Sequence, residues 1–189
     1  MIFRRGIVLK VLGVCAALFA ACTGAQAAYA RSLDDKEKAA LGATIDDFDT
    51  AMRGKVYDRV AATVPPKVLS AVGTKIGADA EKMRSIMAEF LKEMMSKVAI
   101  ESFAMDRAGM ELKELGTGTP YALIPTQTVV SLGEKGRFLE KTYTLGLLDD
   151  GKWYLVRIGD ISQLTILKEV YPEFTSVEFP KGSMEVLKK

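Results

Sequence analysis

Few stretches of this chain could do chemistry, and most of them are carboxylates. Asp46, Asp47 and Asp49 surround Phe48, Glu101 and Asp106 lie on or just after an apolar run, and LLDDGKWYLVRI (147–158) carries Asp149, Asp150, Trp153, Tyr154 and Arg157. An acid held among apolar walls has its pKa raised, and beside a tyrosine it could act in general acid/base catalysis. Each group also has a plainer reading. The first three acids fall on or beside the polar arc of a helix, Asp106-Arg107 suits a strand-end ion pair or turn, and Glu101 suits an outward strand position. Asp149, Asp150 and Gly151 are turn residues, short acceptors followed by one that tolerates positive φ.

Other chemistries are excluded by composition. The chain has no histidine, so Ser-His-Asp and Cys-His catalysis and His-ligated zinc are out of reach. Its two cysteines, Cys15 and Cys22, both lie near the N-terminus. No phosphate-cradling or dinucleotide-binding glycine motif is present. The acids lack the spacing of a calcium loop. Met83, Met87, Met94, Met95, Met105 and Met110 could offer thioethers to Cu(I), but Met83, Met87 and Met94 share an apolar helical face, where methionine fills irregular cores. No cofactor and no metal is expected.

The first thirty residues read as an export signal. Arg4, Arg5 and Lys10 precede the apolar run Val11–Ala21, and small residues follow with A-x-A sites at Ala27 and Ala30. Eleven residues of helix span only ~17 Å, too short for a bilayer core. The expected division is a cleaved signal peptide (1–30), one domain (31–171) and a C-terminal tail packed on it (172–189), in the periplasm or secreted. Phe19-Ala20-Ala21-Cys22 resembles a lipoprotein cleavage box, so membrane attachment is expected only if Cys22 is lipidated. From Arg31 onward 23 basic side chains face 24 acidic ones, a formal charge of −1, which leaves no general basic field for nucleic acid.

Local patterns then place the elements. Leu41, Ile45, Phe48 and Met52 make one helical face, entered at Ser32 and ended near Gly54. Short helices are predicted over YDRVAATV and after Pro66. A long one begins at Asp79, with Met83, Ile86, Met87, Phe90, Leu91, Met94 and Val98 along its apolar side. Beyond residue 98 the period changes to two. Strands are predicted over 100–105, 110–115, 121–132, 139–147 and 152–158, with turns at GEKG and DDG and a final helix over 162–171. Pro125 requires an edge, bend or bulge.

Helices followed by antiparallel strands make an α+β domain. IDDFDTAM, GKVYDRVAATVPP, the long helix and TYTLGLLDDGKWYLVRI resemble the nuclear-transport-factor-2-like superfamily over residues 33–171, closest to its exported bacterial members. The resemblance implies N-terminal helices packed in the concave face of a curved antiparallel sheet, with a cone-shaped cavity. It implies a scaffold, not an activity. The cavity candidates are Phe48, Met52, Phe90, Met94, Phe103, Tyr143 and Trp153, and no residue is assigned as catalytic. The expected function is non-catalytic binding of an apolar or amphipathic ligand or a partner protein. The alternatives are a small isomerase or hydrolase using a pocket carboxylate with tyrosine, and an envelope interaction module with a filled cavity. Strand 152–158 is apolar on both faces, so the face away from the helices needs a cover, either the tail or a second subunit in a homodimer.

Overall fold

The computed structural model describes residues 33–187. The expected signal peptide, Cys15, Cys22 and Ser32 lie outside them. No helix among the described residues is long and apolar enough to cross a membrane.

Four helices come first: α1 (Asp35–Arg53), α2 (Tyr57–Ala62), α3 (Pro66–Thr74) and α4 (Ala80–Lys97). Asp34 caps α1 and forms a capping box with Glu37. Pro66 opens α3 at its first turn, where no N–H is needed, and Asp79 caps α4. The strands are β1 (Ala99–Met105), β2 (Glu111–Glu114), β3 (Pro120–Ser131), β4 (Arg137–Asp149), β5 (Lys152–Ile158) and β6 (Ser183–Leu187), with α5 (Ile161–Val170) between the last two. The fold is α+β, with a strongly curled antiparallel sheet that forms a half-barrel.

β3 and β4 are the long centre of that sheet, paired from Tyr121↔Leu147 to Ser131↔Arg137. β1 and β2 share the other side of β3, while β5 and β6 share the other side of β4. Pro125 is therefore in an internal strand, at the point where the partner of β3 changes from β2 to β1. Its carbonyl accepts from Asp106 N–H at 2.8 Å, so its missing N–H falls on that junction and spares the β4 ladder. Asp150 and Gly151 both have positive φ (48° and 75°), the two-residue turn that matches strand twist.

The two faces of the sheet bury different things. On the helix side, Leu41 and Ile45 of α1 pack with Leu33, Ala122, Ile124, Trp153 and Leu155. Complete burial of each large aliphatic contributes about 1.5–3 kcal/mol. Gly146 lies under α1; a Cβ there would come within 3.2 Å of Leu41 Cδ1 and 3.3 Å of Ala122 Cβ. On the far side, Tyr121, Leu123, Leu145, Leu147 and Ile158 meet Leu167 of α5 and then Tyr171 and Phe174. Val177 and Phe179 extend that cover. The face that needed a cover thus receives one from α5 and the tail, and a homodimer no longer follows from its apolarity. The outer edge of β5 is also occupied, since Leu155 N–H donates to Thr63 C=O at 2.8 Å.

Candidate functional site

Two clefts open along the seam between α1 and β1. The larger, about 430 Å³, lies where the C-terminal turns of α1 and α4 meet the start of α2 and the first half of β1. Met52, Met95, Val98, Ile100 and Phe103 give it an apolar lining, and Arg53, Lys55, Tyr57, Glu101 and Ser102 add polar groups. The smaller, about 280 Å³, borders the end of β1 and is lined by Ile45, Asp49, Arg53, Ala104, Met105, Asp106 and Arg107. Deeper under α1 the half-barrel is filled by side chains, with Trp153 only 2% exposed.

Local sequence explains how the larger cleft is walled. α1 ends in a Schellman motif: Lys55 N–H donates to Met52 C=O at 3.2 Å and Val56 N–H to Ala51 C=O at 2.9 Å. The left-handed position in that motif usually belongs to glycine, and here it is Lys55, at φ 55°. Gly54, just before it, stays right-handed at φ −78°. The reversal brings Tyr57 at the start of α2 into the wall. On the opposite side α4 passes through Val98, already extended, straight into β1. The register shift of β1 against β3 falls between Ile100 and Ser102, beside Glu101.

Most charges around the clefts are neutralised by neighbours. Glu101 takes Arg137 Nε on both oxygens, at 2.9 and 2.8 Å. Those hydrogen bonds hold its carboxyl below the usual glutamate range, so it is a weak base at neutral pH. Arg53 pairs with Asp49 at 2.7 Å, Arg107 with Asp46, and Arg59 with Asp47. The three aspartates of the helix arc are thus each tied to an arginine. Asp106 accepts from the N–H groups of Ala108 and Gly109, both at 3.0 Å, in a turn. Lys55 has no ion-pair partner among the described residues.

The buried carboxylate is elsewhere. Asp149, 8% exposed, accepts from Tyr171 Oη at 2.9 Å and from Lys67 Nζ. Burial first, then the bond to Asp149, push the Tyr171 phenol far above its usual pKa. This is the acid-with-tyrosine pairing that an acid/base enzyme needs, but neither residue lines either cleft. The group ties α3, the β4–β5 turn and the end of α5 together. No group of three or more acidic residues among the described residues is placed to hold a metal.

The seven cavity candidates are not brought to one place. Met52 and Phe103 line the larger cleft. Phe48 packs on Phe103, with ring centroids 5.7 Å apart. Trp153 is core beneath α1, and Tyr143 lies on the opposite face with the α5 cluster. Phe90 and Met94 are 58% and 43% exposed, because α4 rests on α2 and α3 and barely touches the sheet. Trp153 and Tyr154 do point to opposite faces, with Trp153 toward α1. Lys55 and Tyr57 escape sequence reasoning as site residues, although both lie in the GKVYDRV segment that reads as a fold marker. Arg53 and Ile100 likewise escape it, and Met95 enters only among the candidate thioethers, since neither helical nor strand period distinguishes a cleft wall from a core position. Compared with family models and with curated proteins, the chain matches none.

Proposed function

We propose that this is an exported, non-catalytic binding or accessory domain, and that the larger cleft holds an apolar or amphipathic ligand or an apolar segment of a partner protein. The observation that carries this reading is the composition of the cleft. Six apolar side chains, Ala99 among them, and five polar ones line a space of about 430 Å³, within the range of small-ligand sites, and its one carboxylate is neutralised by Arg137. A paired acid with a lowered pKa favours binding over proton transfer. Export rests on the order of basic, apolar and small residues over 1–30. The helices and half-barrel are in keeping with a distant place in the nuclear-transport-factor-2-like superfamily, which we propose at the level of scaffold alone.

Titration with a neutral apolar fluorophore, N-phenyl-1-naphthylamine, tests the reading. One molecule should bind per chain with enhanced emission, and Met95→Glu should abolish the signal while the protein stays folded. Binding that survives Met95→Glu, or no binding at all, refutes it.

A further inference from the structure

We infer that the ligand of the larger cleft is a single-chain amphiphile with an anionic head, the head meeting Lys55 and the tail lying against Met52, Met95, Val98, Ile100 and Phe103. This rests on the cleft being the binding site and adds the charge of its occupant.

Three observations converge on the sign. Lys55 is the cleft cation without an ion-pair partner among the described residues, whereas Arg53 is held by Asp49 and Glu101 by Arg137. The cleft therefore carries one uncompensated positive charge beside an apolar wall. Lys55 also occupies a backbone position that disfavours it. A side chain at φ 55° is strained relative to glycine, a cost that the favourable place of a cation at the C-terminus of α1 only partly offsets. A strained residue at the rim of a cleft points to a role for its side chain. Finally, the carbonyls of Thr50, Ala51 and Met52 at the end of α1 are all engaged by the chain itself. The ammonium group is then the main charge that this end of α1 offers to a ligand.

The head group need only be a compact anion such as a carboxylate. A cationic head would meet Lys55 with like charge, and a neutral one would leave it unpaired. The contact is at the solvent-exposed rim, so it should weaken with added salt.

The test uses the full mature chain and two amphiphiles with the same twelve-carbon tail, laurate and dodecyltrimethylammonium, each below its micelle concentration. Both are titrated as competitors of N-phenyl-1-naphthylamine. Laurate is expected to bind more tightly than the ammonium compound. Lys55→Gly should weaken laurate about fivefold, as for an exposed charge pair, without lowering the melting temperature. Lys55→Asn, whose side chain also tolerates the left-handed region, should reproduce the loss. If dodecyltrimethylammonium binds as tightly as laurate, or if both Lys55 variants keep full laurate affinity, the anionic head is refuted while the neutral dye still reports an apolar site. If neither amphiphile nor dye binds, the site itself is refuted.

Discussion

The Tyr171 phenol donates to Asp149 Oδ2 at 2.9 Å, joining the end of the last helix to the tight turn between β4 and β5. Lys67 of α3 closes the same carboxylate from the other side and lies 5.9 Å from the centre of the Tyr171 ring. A turn aspartate thereby becomes the knot where three parts of the chain meet. A hydrogen bond to a charged acceptor contributes about 1.5–3 kcal/mol, and Tyr171→Phe should lower stability by that order in chemical denaturation. Asp149→Ala should lower it more, because it leaves the buried phenol without its partner and Lys67 with only the longer pairing to Asp150 at 3.7 Å.

The same knot makes a prediction for alkaline solution. Asp149 raises the pKa of Lys67, while burial and Asp149 together raise that of Tyr171. The folded state thus keeps these protons to higher pH than the unfolded chain does. Their stabilisation is complete below the ordinary tyrosine and lysine values of 10.0 and 10.5, and is lost as the pH rises through and beyond them. Denaturation midpoints should therefore fall above that point. The fall should be shallower in Tyr171→Phe, and an unchanged slope would rule out Tyr171 as its source.

Gly146 sets how closely α1 approaches the sheet. A methyl group added there would stand 3.2 Å from Leu41 Cδ1 and 3.3 Å from Ala122 Cβ. Gly146→Ala should therefore cost about 1–3 kcal/mol by overpacking. Thermal melting of Gly146→Ala beside Gly116→Ala, where the same added carbon meets nothing within 4 Å, separates crowding from the loss of glycine itself.

Exposure gives opposite expectations for two phenylalanines that share an apolar-face position in the sequence. Phe90→Ser should change stability by no more than about 0.5 kcal/mol, as for ordinary surface sites. Phe48→Ala removes a ring packed on Phe103 and against the α1 core, and should cost about 2 kcal/mol or more. Equal losses in urea titrations would mean that α4 is covered in solution.

Removing the partner of Glu101 should be visible directly. In Arg137→Gln the Glu101 carboxyl loses the hydrogen bonds that depress it and should titrate upward, toward the ordinary value of 4.5. Side-chain carboxyl NMR follows this shift, and no movement would show that the pair does not persist in solution.

Much of this architecture is readable from local pattern, because local pattern causes it. Asp79 and Pro66 mark helix starts through backbone N–H accounting, and the DDG turn follows from which residues accept positive φ. The alternation in 152–158 separates Trp153 from Tyr154 in any sheet. Other features depend on contacts that no period encodes. The apolar stripe through Phe90 and Met94 shows that α4 has an apolar side, but not how much of it neighbouring helices reach. Ser32 has the chemistry of a helix cap, whereas Asp34 holds that place because Glu37 completes its capping box. Asp149 has the composition of a turn whether or not a tyrosine 22 residues later arrives beside it. Lys55 carries no signal, since a lysine after a glycine at a helix end looks like solvent-facing charge until its φ is known.

The burial of α1 also fixes when the chain can fold. Leu41 and Ile45 find their partners at Trp153 and Leu155, roughly a hundred residues downstream, a non-local arrangement that slows folding. A chain made from its N-terminus displays these apolar side chains early and cannot bury them until the final hairpin has been synthesised. The first described helix is thus made early and waits for the β4–β5 hairpin before its apolar face is fully covered, while α5 and the tail close the far face of the sheet later still.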